Sequence, residues 1–214
     1  MYGIHQKTIP AKLFILTVQL IYLLIDFKLL QGNNAINSLV TASITVFLII
    51  TFLRLNSMMF IWIPRGISWS EAIGNSLAFG IYYIGFPLLA LRVSHFSLSI
   101  LIFGYLFFVL GSLINTSSEL LRKPFKDNPA NKGKLYTGGL FKYSMHINYF
   151  GDILWVLGFA LVTMNPWSLI IPMLLIALFV FSYIPNADRY LANKYGKQFE
   201  DYQKSTKKLI PFIW

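Results

Sequence analysis

The chain has 214 residues, 56% hydrophobic, 17% aromatic and 12% charged, with a formal net charge of +10; a soluble domain carries about twice that charged fraction. With a mean hydropathy of +0.61, a soluble class is excluded and an all-α integral membrane protein is expected. Cysteine is absent, which rules out disulfides, thiolate metal sites and a cysteine nucleophile.

Apolar windows of near-spanning length fall at about 13–30, 36–53, 76–92, 97–115, 148–164 and 167–184. They predict six transmembrane helices in a single membrane domain over 1–214. The first, Leu13 to Leu30, is too long for the core of a cleavable signal and lacks a small-residue cleavage site. Between the second and third, "RLNSMMFIWIPRGISWSEAIGN" (54–75) is semi-apolar with Pro and Gly inside, and reads as an interfacial or re-entrant loop. Arg54 and Arg65 flank it, and Glu71 follows. Tyr82 and Tyr83 lie early in the third window, where tyrosine ordinarily belongs to the interface belt. A tyrosine there is also chemically suited to give a proton to a substrate carbonyl. The fifth and sixth windows are joined only by Met164, Asn165 and Pro166, which predicts a tight helical hairpin.

With the N-terminus in the cytoplasm, all lysines and arginines except Lys28 and Arg92 fall on cytoplasmic segments. That supports six spans with both termini cytoplasmic, in a bacterial inner membrane or the endoplasmic reticulum. It also accounts for most of the net charge without a nucleic-acid partner. No internal repeat or pair of broken helices suggests a transporter.

Polar residues at helical spacing concentrate in 113–214. In "INTSSELLRKPFKDNPANKGKLYTGG" (114–139), Asn115, Glu119 and Arg122 share one helix face. The loop beyond adds Lys123, Lys126, Lys132 and Lys134 on irregular, Pro- and Gly-rich backbone. The loop serves either as a positive-inside stop or as an anion cradle; the Asn–Glu–Arg face favours the cradle. In "GGLFKYSMHINYFGDILW" (138–155), Ser144, Asn148 and Asp152 are four apart, Trp155 continues the face and Tyr149 sits beside it. Asp152 is a carboxylate at membrane depth, either an interhelical staple or a cavity group. His146 reads as interfacial: the histidines, at 5, 95 and 146, have no metal-ligand spacing, and no metal is expected. From residue 186 an amphipathic helix with a stripe of Leu191, Tyr195, Phe199 and Tyr202 begins. It either lies on the membrane surface or forms a lid with Asp188, Arg189 and Tyr195 turned inward. The apolar tail "KKLIPFIW" is expected to pack back.

These pieces, "IN..SE" (114–119), "GGLFKYS" (138–144), "NYFGD" (148–152), "LGFAL" (157–161) and "KYGKQFEDYQKSTKKLIPFI" (194–213), resemble the C-terminal domain of the steroid 5-alpha-reductase family. "HINYFGD" and the "KYG…Y" ending are also similar to sterol C14- and C7-reductases. The resemblance implies NADPH-dependent reduction of a carbon–carbon double bond in a sterol-like or other lipid taken from the bilayer. Carried over by position, it places Asn115, Glu119, Arg122, Lys126 and Lys134 around the cofactor's phosphates and ribose. Asn148, Tyr149, Asp152 and Tyr195 match further cavity residues, and Asp188 and Arg189 stand beside the last on the closing helix. Tyr82 and Glu71 are the candidate proton donors. The family's common "RHPNY" reads Met145-His146-Ile147-Asn148-Tyr149 here. The family's catalytic tyrosine falls near Thr51, and a cofactor-contacting histidine falls at Leu191.

The related membrane fold of isoprenylcysteine and phospholipid methyltransferases makes S-adenosylmethionine the alternative cofactor. That molecule has no phosphate to occupy Arg122, Lys126 and Lys134. A non-catalytic lipid-binding relative is the other alternative.

Overall fold

A computed structural model describes residues 8–31, 37–62, 66–91 and 95–214. His5, Lys7, Arg65 and Arg92 of the sequence reading lie outside the described residues. The described residues contain helices and no strand beyond one isolated bridge, as expected where a backbone in hydrocarbon must satisfy its own amides.

Among the described residues, five helical stretches are long and apolar enough to cross a membrane: Ile9–Leu30, Ser38–Trp62, Trp69–Ala90, Leu98–Asp127 and Pro166–Tyr195. A sixth apolar helix, Ile147–Val162, is shorter. Helix α1 is Ile9–Gln31 and α2 is Ser38–Ser57, capped by Asn37 Oδ1 on the Leu39 amide (2.9 Å). A π turn, Met58–Trp62, continues α2. Helix α3, Trp69–Gly80, starts from a Ser68 cap on the Glu71 amide (3.2 Å), then runs through a π turn, Ile81–Gly85, into α4, Phe86–Ala90.

The expected re-entrant loop over 54–75 is therefore mostly helix. The apolar run to Trp62 extends α2, and Ser68 opens α3 well before residue 76. Helix α5 is Leu98–Asp127, α6 is Ile147–Val162, and α7 is Ile170–Leu178. A π turn at Phe179–Tyr183 leads into α8, Ile184–Tyr195, and α9 is Lys197–Ser205. Pro87 and Pro185 each follow a π turn. Proline lacks an N–H and its ring crowds the preceding turn, and a widened turn relieves both.

The chain forms two compact units: Met1–Tyr105 with Gly158–Leu169, and Leu106–Leu157 with Ile170–Trp214. In the first, Ala11, Ile15, Ile67 and Ala72 form a small core. Thr8 Oγ1 bonds the Ile67 backbone (2.6 Å), and Lys12 Nζ donates to the Met59 carbonyl (2.9 Å). Phe47 meets Tyr105 and Phe159 edge-on, and Phe86 stacks on Phe159 at 4.5 Å. The hairpin after α6 turns through Met164 at φ 58, and Asn165 Nδ2 is tied to the Leu89 carbonyl (2.8 Å).

In the second unit, the chain breaks between α8 and α9 at Gly196, whose φ of 50 and ψ of −122 is a conformation that glycine tolerates. The stripe Tyr195, Phe199 and Tyr202 is buried against Met145, with Leu191 and Leu135 beside it. The C-terminal segment is thus two helices whose apolar stripe is buried in its own unit. The tail does pack back: Met145 N donates to Lys207 O (2.8 Å), His146 N to Lys208 O (3.0 Å), and Ser144 Oγ to Leu209 O (2.8 Å).

Candidate functional site

Close packing of α5 on α6 builds the polar site of the second unit. A methyl group at Gly111 would lie 2.2 Å from the Trp155 nitrogen, and one at Gly151 would lie 2.6 Å from the Asn115 nitrogen. Glycine lets the two backbones touch. That contact sets Asn115 against the start of α6, where its Nδ2 donates to the Asn148 carbonyl (3.1 Å). The Asn148 Nδ2 donates to Glu119 Oε1 (3.2 Å), and Glu119 Oε2 is ion-paired with Arg122. Glu119 is only 9% exposed, so its charge is held by two partners instead of by water.

The cationic groups continue along α5. Arg122 lies over the Phe141 ring (5.2 Å), and Lys126 Nζ donates to Tyr195 Oη (3.2 Å). Lys123 pairs with Asp127. Lys134 is exposed in the loop. Burial pushes the Tyr202 phenol above its usual range, and the Arg122 guanidinium opposes that shift. Tyr202 Oη donates to the Phe141 carbonyl (2.5 Å), which fixes the short 3-10 turn Gly139–Lys142 beneath Arg122. The structure thus brings together Asn115, Glu119, Arg122 and Asn148, and separately Lys126 and Tyr195.

Other expected residues stand elsewhere. Asp152 accepts from the Trp155 indole within α6 (2.8 Å). Tyr149 is sandwiched by rings, with His146 at 5.4 Å and Phe179 at 4.5 Å. Ser144 is not on the α6 face, since α6 begins at Ile147; its hydroxyl holds tail carbonyls. His146 is buried within the protein. It is 4% exposed and its Nε2 meets Asp188 Oδ1 at 2.8 Å, while Lys208 lies 3.4 Å from Asp188 Oδ2. Packing of the tail across residues 144–146 buries the imidazole, and sequence spacing carries no trace of that. Asp188 is therefore engaged with His146 and Lys208. Arg189 is exposed and not turned inward.

In the first unit, Tyr82 is half-buried and stacked on Phe86 (6.2 Å), and Glu71 sits in the first turn of α3. Its neighbour Tyr83 is fully buried, with its hydroxyl donating to Gln19 Oε1 (3.3 Å). Gln19 and Asp26, both buried inside an apolar span, escaped the sequence reading. Their signal was the seven-residue spacing of Lys12, Gln19 and Asp26, which puts all three on one helix face.

Residues 76–206 match the protein family described as "Protein of unknown function (DUF1295)". The chain is 34% identical over 145 residues to 3-oxo-5-alpha-steroid 4-dehydrogenase 2 of Sus scrofa, a match covering 66% of this chain and 53% of the relative. The human protein of that name is 36% identical over 111 residues, covering 52% and 42%. A sequence called "Probable O-methyltransferase ustE" of Ustilaginoidea virens is 36% identical over 112 residues, covering 52% and 33%. The chain spans about half the length of the curated steroid dehydrogenases it matches.

Proposed function

Because this chain belongs to the DUF1295 family, we propose that it is a membrane reductase that saturates a carbon–carbon double bond of a sterol-like or other lipid with NADPH. The observation that carries this reading is the hydrogen-bonded run Asn115–Asn148–Glu119–Arg122, with Lys126 and Tyr195 further along α5. Similarity to steroid 4-dehydrogenases supports it.

The donor set fits a phosphorylated dinucleotide. Arg122 presents a planar fork suited to phosphate oxygens, and Lys126 and Lys134 add point charges. Asn115, Asn148 and Tyr149 would hydrogen-bond the adenosine and nicotinamide halves. Glu119 acts by orienting Arg122 and Asn148. Asp152 and Tyr195 would border the cavity, with Asp188 and Arg189 on the closing helix α8. The cofactor, when bound, supplies a hydride. Tyr82 and Glu71 are assigned the proton for the second carbon, tyrosine and a carboxyl group both being able to donate one. The cationic loop is assigned to the cytoplasmic side, together with both termini.

A methyltransferase using S-adenosylmethionine is the second reading, and the similarity to an O-methyltransferase favours it. Thermal unfolding of the detergent-purified chain, titrated with each cofactor, separates the two. A ligand that binds only the folded state raises the transition, by about 2.7 kcal/mol at a hundredfold excess over Kd. NADPH is expected to stabilise, and stabilisation by S-adenosylmethionine alone overturns the reductase reading. Arg122→Ala and Asn148→Ala are each expected to weaken NADPH binding about tenfold, the loss of one hydrogen bond involving a charged group. Unchanged affinity in both removes the proposed cradle.

A further inference from the structure

The first unit contains a second polar cluster, none of whose members belongs to the proposed cofactor cradle. Helix α1 turns Lys12, Gln19 and Asp26 to one face, and they are 7%, 1% and 2% exposed. Helix α2 contributes the buried Thr51, Arg54 and Asn56, and α3 with its π turn contributes Ser76 and Tyr83. Gln19 Oε1 accepts from Asn56 Nδ2 (2.8 Å) and from the Tyr83 hydroxyl (3.3 Å). The Tyr22 ring lies 6.2 Å from that of Tyr83.

A structural polar core closes its own hydrogen bonds. Here the Gln19 acceptor is satisfied, yet both Asp26 carboxyl oxygens have no hydrogen-bond partner among the described residues. The same holds for Asn56 Oδ1 and for the Thr51 and Ser76 hydroxyls. Ionisable groups at membrane depth are costly, and they persist where they face a ligand or an ion path. At Asp26 both open atoms are carboxyl oxygens, so the complementary group there is a hydrogen-bond donor. A cationic ligand would bring a further charge into an apolar span, at the cost that any ion meets there, whereas a neutral hydroxyl brings a donor without one. The surrounding elements are apolar spans, so the hydroxyl must arrive on an apolar body. Asp26 stands about 10 Å from Gln19 along α1, two turns at 1.5 Å per residue. One hydroxyl cannot serve both levels, and it falls to Asp26, which has two open oxygens.

We infer that the first unit holds a binding site for the hydroxyl end of an amphiphilic alcohol, with the Asp26 carboxyl group accepting from it. This inference does not rest on the reductase reading.

The test uses the full chain in lipid nanodiscs with a diazirine-bearing long-chain alcohol as the probe. Photolabel is expected on peptides of α1 to α3. A tenfold excess of the plain alcohol should reduce it about tenfold by mass action, and the matching methyl ether, which lacks the donor, should compete about tenfold less well, the loss of one hydrogen bond to a charged group. Asp26→Leu should abolish the competable label without lowering the melting temperature, because it removes a carboxyl group with no protein hydrogen bond to lose. Asp26→Asn, which keeps one acceptor, should retain part of the label. Equal competition by the methyl ether, or wild-type labelling of Asp26→Leu, overturns the site. So does a fall in melting temperature in both variants, which makes Asp26 a structural residue. NADPH stabilisation measured on the same variants reports separately on the cofactor reading.

Discussion

At the scale of single residues, His146 shows how one side chain can tie several segments together. Its imidazole is stacked on Tyr149, bonded to Asp188, and covered by backbone that reaches it from Lys208. His146→Leu keeps the bulk and removes the polar partner. Asp188 then retains only Lys208, at 3.4 Å, and the loss is expected to cost about 1–3 kcal/mol. Thermal unfolding of His146→Leu, Asp188→Asn and the double variant measures the coupling. A double variant no worse than the poorer single is the expected result, and simple additivity would show that the two act independently. Glu119 is the corresponding residue at the candidate site, since removing it leaves Arg122 and Asn148 without their shared acceptor.

Helix contacts decide whether those residues meet. The α5–α6 crossing depends on Gly111 and Gly151, where a methyl group would intrude on backbone atoms instead of on the end of a flexible side chain. Gly151→Ala is expected to destabilise by about 1–3 kcal/mol and to weaken NADPH stabilisation by moving Asn148 away from Asn115. Gly74, in α3, has nothing within 4 Å of an added methyl group. Gly74→Ala should therefore leave cofactor binding unchanged and stabilise slightly, by up to about 1 kcal/mol, through helix propensity. Equal effects from the two substitutions, in paired melting and titration experiments, would remove the close crossing as a determinant of the site.

For the whole molecule, the arrangement across the membrane is the prediction that the charge distribution makes. The absence of cysteine permits clean single-cysteine labelling with a membrane-impermeant maleimide. Lys132→Cys and Lys204→Cys should react only from the cytoplasmic face, and His95→Cys only from the opposite face. Reaction of Lys132→Cys and His95→Cys from the same face would refute the six-span topology.

Much of this was legible because membrane insertion is a local property. Runs of apolar residues are read one segment at a time, so composition alone determined an all-helical integral membrane protein and the α6–α7 hairpin. Helical spacing likewise anticipated the shared face of Asn115, Glu119 and Arg122, whose positions are linked by short-range geometry. Other features had no such local signature. The helical character of 54–62, the break at Gly196, the burial of His146 and the open carboxyl group of Asp26 depend on what each residue meets from distant parts of the chain. Tertiary structure alone decided them, because burial and hydrogen-bond closure belong to pairs of elements: Asp26 is one acid in an apolar span until α2 and α3 close around it.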